Sequence, residues 1–135
     1  MNENKKPIRV MIAKIGLDGH ERGAKVVALG LRNEGMEVIY TGLRQTAETL
    51  VQAAVQEDVD VIGLSSLSGA HNYHFPAITK LLKEKGLGRV LVIAGGMIPP
   101  EDIPDLKKNG IAEVFIAGTS IKVVADFIRA NVKDK

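Results

Sequence analysis

The most constraining feature of this chain is an alternation in which five short Val/Ile-rich runs are each followed by an amphipathic stretch of helical period. Ile8-Arg9-Val10-Met11-Ile12-Ala13 is the first run, and near-continuous apolar character over so few residues is what a strand buried on both faces requires. Gly23, Val26, Val27, Gly30 and Leu31 then recur at the 3.6-residue period until Gly35 supplies a C-terminal stop. Met36 to Tyr40 reads as strand two, Thr46 to Glu57 as a helix with Leu50, Ala53 and Ala54 inward, and Val59 to Ser65 as strand three. Pro76 to Lys85 (with Ile78, Leu81 and Leu82 inward), Val90 to Ala94, Glu101 to Asn109, Glu113 to Ile116 and Ser120 to Val132 complete the pattern. Such βαβ units close with right-handed crossovers into a parallel sheet covered by helices on both faces. The prediction is an α/β, flavodoxin-like, doubly wound (Rossmann-like) sheet of five strands in the order 2-1-3-4-5.

A length of 135 residues suits one domain, predicted over residues 8–135, with a frayed, disordered polar segment over 1–7. Charged residues are 25% of the chain, nearly balanced at net +2 and scattered, which argues against nucleic acid or an anionic membrane as partner. No apolar stretch approaches roughly 18 residues, so no membrane span is expected. Zero cysteines rule out disulfides, thiolate zinc sites and thiol nucleophiles, and are compatible with a reducing cytoplasm.

In this topology ligands lie outside the carboxyl ends of the strands, near the point where the winding reverses. The candidate loops are therefore Lys14 to Gly23, Ser65 to His74, Gly95 to Pro100 and Ala117 to Ser120. Gly16, Gly19 and Gly23 do not match G-x-G-x-x-G, and no G-x-x-x-x-G-K-[ST] is present, which disfavours dinucleotide and nucleoside-triphosphate phosphates. A phospho-acceptor receiver would need an acidic residue at the end of strand three, where Ser65 and Ser66 stand.

The positive feature is Asp18-x-His20. A loop histidine can give one ring nitrogen to a metal while its other N–H donates to a carboxylate, here Asp18, which Lys14 in turn could compensate. The competing reading is that Asp18 only caps the first helix and His20 is solvated. A zinc site built with His71 and His74 lacks cysteine and a second carboxylate and is unconvincing. The remaining loops, Ser65-Ser66-Leu67-Ser68-Gly69-Ala70 and Gly95-Gly96-Met97-Ile98-Pro99-Pro100, present small residues and hydroxyls that leave room for a large, flat, partly apolar ligand. Gly23, Val27 and Gly30 share one helical face and would allow a slot between helix and sheet; close helix-to-sheet packing explains them equally.

Lys14-x-Gly16-x-Asp18-Gly19-His20-x-Arg22-Gly23, with Ser65-Ser66-Leu67 and Gly95-Gly96-x-Ile98-Pro99-Pro100, resembles the cobalamin (vitamin B12)-binding domain of methylmalonyl-CoA mutase and related acyl-CoA mutases. The resemblance runs from about Ile8 to Val132. It implies that adenosylcobalamin binds base-off and His-on, with His20 the lower axial ligand to cobalt, Asp18 its hydrogen-bond partner and Lys14 a further member of the relay. The displaced nucleotide tail would lie near Gly23, Ser65, Leu67, Gly95, Gly96 and Thr119, and Gly19 and Arg22 are further cofactor-binding residues. Glu21 stands where these mutases often have Asp, and Ala117 where they often have Pro, so the Thr119 contact or a simple helix cap at Thr119 or Ser120 both remain open. His71 could approach the corrin rim or be solvated, and His74 is expected to be structural or exposed.

The resemblance further implies the isomerase chemistry of a carbon-skeleton rearrangement, with no catalytic residue in this chain beyond cofactor tuning by Asp18 and Lys14. A TIM barrel of roughly 250 residues would hold the acyl-CoA, and 135 residues cannot contain one. The expectation is a cytoplasmic small subunit, inactive alone, acting with a large TIM-barrel acyl-CoA mutase subunit. Methylmalonyl-CoA mutase is the favoured identity, and a 2-hydroxyisobutyryl-CoA or isobutyryl-CoA mutase is the alternative. A non-catalytic corrinoid carrier for methyl transfer, or a cobalamin sensor, is the alternative of another class; carriers usually place a helical cap before the Asp-x-His loop, and seven residues precede strand one here.

Overall fold

A computed structural model describes residues 7–14, 22–40, 47–66, 71–96, 100–116 and 119–132. Five parallel strands, β1 (Arg9–Lys14), β2 (Glu37–Tyr40), β3 (Val61–Ser66), β4 (Leu91–Gly96) and β5 (Glu113–Ile116), form one sheet in the order β2-β1-β3-β4-β5. The helices between them are α1 (Arg22–Asn33), α2 (Ala47–Glu57), α3 (His71–Glu84), α4 (Ile103–Lys108) and α5 (Ile121–Asn131). The predicted doubly wound order is the one observed.

Alternation along the strands divides the core in two, because successive side chains of a strand point to opposite faces. Val10, Ile12, Val61 and Ile93 pack with Ala28, Leu31, Val124, Ala125 and Ile128 of α1 and α5. Met11, Ala13, Ile62, Leu64, Val92 and Ala94 pack on the other face with α2, α3 and α4 through Leu50, Val51, Ala54, Phe75, Ile78, Leu82 and Leu106. At about 1.5–3 kcal/mol per fully buried large apolar side chain, these two clusters are the main favourable term of folding.

The helix ends are built alike. Gly35 takes φ +92°, its N–H donates to Arg32 O at 3.0 Å, and the Met36 N–H donates to Leu31 O at 3.2 Å, which turns the chain from α1 into β2 and buries Met36. The same pairing ends α2, α3 and α4 and buries Val59 and Ile111, with Asp58 rather than glycine in the left-handed position after α2.

Four expectations are corrected. Val59 belongs to that helix-ending turn, so β3 starts at Val61. Val26 is 56% exposed, and α1 turns Ala28 inward beside the expected Leu31. The segment read as helix four is a 3-10 turn at Pro100–Asp102 followed by α4, whose second residue is Pro104. Most relevant to the site, α3 starts at His71 and runs through Pro76, so His71 and His74 belong to a helix rather than a loop. The buried triplet Phe75, Ile78 and Leu82 has helical spacing and holds that first turn against the sheet, which outweighs the hydrogen bond that proline removes. Thr79 ties α3 to the end of α4, its hydroxyl lying 2.7 Å from Asn109 O and 3.0 Å from Pro76 O.

Away from the strands' carboxyl ends, the Lys107 ammonium lies 2.8 Å from the Glu113 carboxylate. That hydrogen bond holds the Glu113 carboxyl below its ordinary value of 4.5, against the upward push of partial burial, and the Val114 N–H adds to the lowering. The contribution is therefore fully present above the ordinary glutamate range and is lost as pH falls through the lowered value.

Two measurements check this architecture. Phe75→Ala should cost about 3–5 kcal/mol in urea unfolding, as expected for a buried aromatic, whereas a loop residue at 75 would cost under about 1 kcal/mol. Lys107→Met should lower neutral-pH stability slightly, by under about 1 kcal/mol, and flatten the acid side of the profile below about pH 4.5 so that variant and wild type converge in acid; an unaltered acid limb would contradict the pairing.

Candidate functional site at the carboxyl edge of the sheet

Parallel pairing aligns the strand ends. Lys14 of β1 is in register with Ser65 of β3, Ser65 with Gly95 of β4, and Gly95 with Phe115 of β5. One step further along, Ser66 pairs with Gly96 and Gly96 with Ile116. Lys14, Ser65 and Gly95, three of the predicted site residues, thus occupy one row across adjacent strands. Ser65 closes the strand as expected, whereas Lys14, Ser66, Gly95 and Gly96 belong to strands and not to the loops assigned to them, because the parallel register carries on to the last residue of each.

On the face covered by α1 and α5 the sheet carries glycine at positions 63 and 95. A Cβ at Gly63 would meet Ile12 Cδ1 at 2.8 Å, so Gly63 faces the cluster under α1 and α5. Gly95, two residues beyond Ile93 of that same cluster, shares this face, and a Cβ there would lie 3.1 Å from the Phe115 carbonyl oxygen. Val27, Tyr40, Phe115, Ile121 and Phe127 are half-buried around the cluster, and Phe115 meets Phe127 edge-on at 5.5 Å. The region is apolar, with the Ile12 side chain packed over Gly63 and the Phe115 carbonyl oxygen close to Gly95.

Helix α5 starts at the same edge. The Ser120 hydroxyl accepts a hydrogen bond from the Val123 N–H at 3.3 Å, which settles the open question of the cap in favour of Ser120. Thr119, just before it, is half-buried. The slot expected along Gly23, Val27 and Gly30 is closed at Gly30, where Ile121 of α5 is seated. The contact is helix on helix, neither an open slot nor helix on sheet.

Arg22 and Gly23 open α1, immediately after the first loop. Asp18, Gly19, His20 and Leu67 lie outside the described residues. Among the described residues no group of three His, Asp or Glu side chains could hold a metal, and no helix is long and apolar enough to cross a membrane. Sequence reasoning missed Phe115, Ile121 and Gly63 as residues of this edge. Gly63 interrupts an apolar run, a signal of close approach, whereas Phe115 and Ile121 read simply as core.

The profile of the B12 binding domain family matches residues 8–126. The chain is 53% identical over 126 residues to the 2-hydroxyisobutanoyl-CoA mutase small subunit of Aquincola tertiaricarbonis, covering 93% of each chain. It is 43% identical to the pivalyl-CoA mutase small subunit of Xanthobacter autotrophicus, over 93% of this chain and 84% of that one. The methylmalonyl-CoA mutase of Cereibacter sphaeroides is 42% identical over 94% of this chain, but that stretch is only 18% of the mutase. Among solved structures, a cobalamin-binding protein from Desulfitobacterium hafniense superimposes with a TM-score of 0.80 at 19% identity, over 95% of this chain and 60% of that one. The monomethylamine corrinoid protein of Methanosarcina barkeri does so with a TM-score of 0.74 at 18% identity, over 93% and 60%. At such identities these two establish the fold, while the profile match over most of the chain establishes its kinship. This chain belongs to the B12 binding domain family.

Proposed function

We propose that this chain is the cobalamin-binding small subunit of an adenosylcobalamin-dependent acyl-CoA mutase of the 2-hydroxyisobutanoyl-CoA type, an isomerase. It would act in the cytoplasm with a separate TIM-barrel subunit that holds the acyl-CoA. The observation that carries this reading is the 53% identity to a small subunit across 93% of both chains. Methylmalonyl-CoA mutase, favoured from the sequence, takes second place: its relative is 42% identical and matches this chain with only 18% of its length. Similarity to corrinoid proteins at 18–19% identity is a likeness of fold and gives no separate support to a methyl carrier or a sensor.

The residues present fit a corrinoid. The register row Lys14, Ser65, Gly95 brings three candidate loops to one edge, and the apolar face under α1 and α5 adjoins it. When bound, adenosylcobalamin would supply the radical by homolysis of its cobalt–carbon bond. In this reading the His20 imidazole holds cobalt from the lower side, Asp18 accepts a hydrogen bond from its second N–H and fixes its tautomer, and Lys14 compensates the Asp18 charge. Gly23, Ser65, Leu67, Gly95, Gly96 and Thr119 bind the nucleotide tail, and Gly19 and Arg22 also contact the cofactor. The residues of this chain thus position and tune the cofactor, and the choice of acyl group is left to the partner.

With the purified full chain, His20→Ala should abolish the base-off, histidine-on absorption spectrum while the far-UV circular dichroism stays unchanged; an unaltered spectrum would sink the ligand assignment. Asp18→Asn should lower corrinoid affinity by about 10–100-fold, the size of effect seen when a ligand histidine loses its orienting partner. Mixed with the large subunit of a 2-hydroxyisobutanoyl-CoA mutase and adenosylcobalamin, the chain should restore turnover of that thioester. Turnover of methylmalonyl-CoA with a methylmalonyl-CoA mutase barrel, and none with the former, would reverse the order of the two substrate readings.

A further inference from the structure

Asn109-Gly110 is the single Asn-Gly pair in the sequence. Asparagine is most labile before glycine, because a following residue without a Cβ lets its amide nitrogen approach the asparagine Cγ. The fold requires glycine here for its own reasons: Gly110 takes φ +106° in the turn that ends α4, and a Cβ on it would fall 3.2 Å from the Cβ of Thr79. At the ends of α1, α2 and α3 the residue before the left-handed position is Glu34, Glu57 and Lys85, so among the described residues only this turn couples to an asparagine.

The peptide unit between Asn109 and Gly110 is clamped at both ends. Its carbonyl oxygen accepts from the buried Thr79 hydroxyl at 2.7 Å, and its N–H donates to Lys107 O at 3.2 Å. The Asn109 side-chain Nδ2 donates to Asp105 O at 2.8 Å, which turns the amide back along α4. Ring closure needs rotation about ψ of Asn109, which stands at 13°, and about its side chain, and these three bonds oppose both. Asn109 and Gly110 are exposed, so water reaches the turn.

We propose that Asn109 is a site of spontaneous deamidation, held in check by the clamp on this peptide unit and reacting when the end of α4 opens. In the reaction Gly110 N loses its proton and attacks Asn109 Cγ; the Cγ–Nδ2 bond breaks, and Nδ2 leaves as ammonia with that proton. Water then adds to either carbonyl carbon of the succinimide, and opening of that C–N bond leaves aspartate or isoaspartate at position 109. Water is consumed, ammonia is released, and nothing is oxidised or reduced. An aspartate carboxylate cannot donate to Asp105 O. The isoaspartyl product routes the main chain through Cβ and Cγ, and the carbonyl that Thr79 held becomes a free carboxylate. The modified chain therefore cannot rebuild the clamp. The site lies at the amino ends of the strands and does not depend on what binds at the carboxyl ends.

The test incubates the full-length chain in mildly alkaline buffer and maps aspartate and isoaspartate at each asparagine by mass spectrometry of its peptides. In chain unfolded by guanidinium chloride, Asn109 should convert faster than Asn33 and Asn131, and in native chain at least about tenfold more slowly than when unfolded. Thr79→Val, which keeps the size of the side chain and removes its hydroxyl, should speed native-state conversion about tenfold while circular dichroism stays unchanged. Conversion at Asn109 no faster than at Asn33 and Asn131 in the unfolded chain would overturn the site. Equal rates in native and unfolded wild type, or a folded Thr79→Val that converts no faster than wild type, would overturn the clamp. If Thr79→Val does not fold, the wild type decides: below the unfolding transition, conversion at Asn109 should rise with guanidinium chloride in step with amide exchange at Gly110, and a rate that ignores the denaturant would overturn the proposal.

Discussion

The hydrogen-bonded register of β1, β3 and β4 is the constraint on which the remainder rests. Because the strands are parallel, their carboxyl ends share one edge; because Lys14, Ser65 and Gly95 are paired in sequence across that edge, three loops distant in the chain leave from one line. A slip of one residue in any of these pairings would turn every core side chain of that strand to the wrong face, and the two apolar clusters forbid it. The same burial that stabilises the sheet therefore fixes where the loops begin.

Two helices give the edge its chemistry on one face. α1 and α5 cover β1, β3, β4 and β5 with Ala28, Leu31, Val124, Ala125 and Ile128 deep in the core. Toward the carboxyl ends that cover thins to glycine on the sheet and the half-buried Val27, Phe115 and Ile121. On the opposite face Phe75, Ile78 and Leu82 of α3 are buried against the sheet. At the other end of β1, the Arg9 guanidinium pairs with Glu37 and lies 3.1 Å from the Glu57 carboxylate.

The strand order and all five helices could be read from the sequence because the Val/Ile runs are buried on both faces and so stand out without alternation. Gly35 marked the end of α1 for a local reason, its positive φ. The start of α3 was hidden because Pro76 reads as a first-turn residue, while the packing of Phe75 that extends the helix upstream is tertiary. Val26 illustrates the same limit: it satisfies the helical period, yet the rotation of α1 is decided by Ala28, Leu31 and the seat of Ile121 on Gly30. Of the candidate site, Ser65 and Gly23 were legible as a strand end and a helix start, whereas Lys14, Gly95 and Gly96 were read as loop residues and belong to strands, and Arg22 was read as a loop residue and opens α1. Asp18, Gly19, His20 and Leu67 lie outside the described residues, and their roles rest on the proposal. The acyl group was beyond reach because nothing in this chain is read as touching it, and similarity across whole chains, not spacing, moved the reading toward the 2-hydroxyisobutanoyl-CoA type.

The central claim is that the carboxyl edge of the sheet is the corrinoid-binding surface. Amide hydrogen exchange of the full chain with and without adenosylcobalamin tests it most directly. The account predicts new protection in peptides covering residues 14–23, 65–70, 95–99 and 117–120, and none in those covering residues 58–60 and 87–90 at the opposite edge. Protection confined to the opposite edge, or no change anywhere at saturating cofactor, would contradict it.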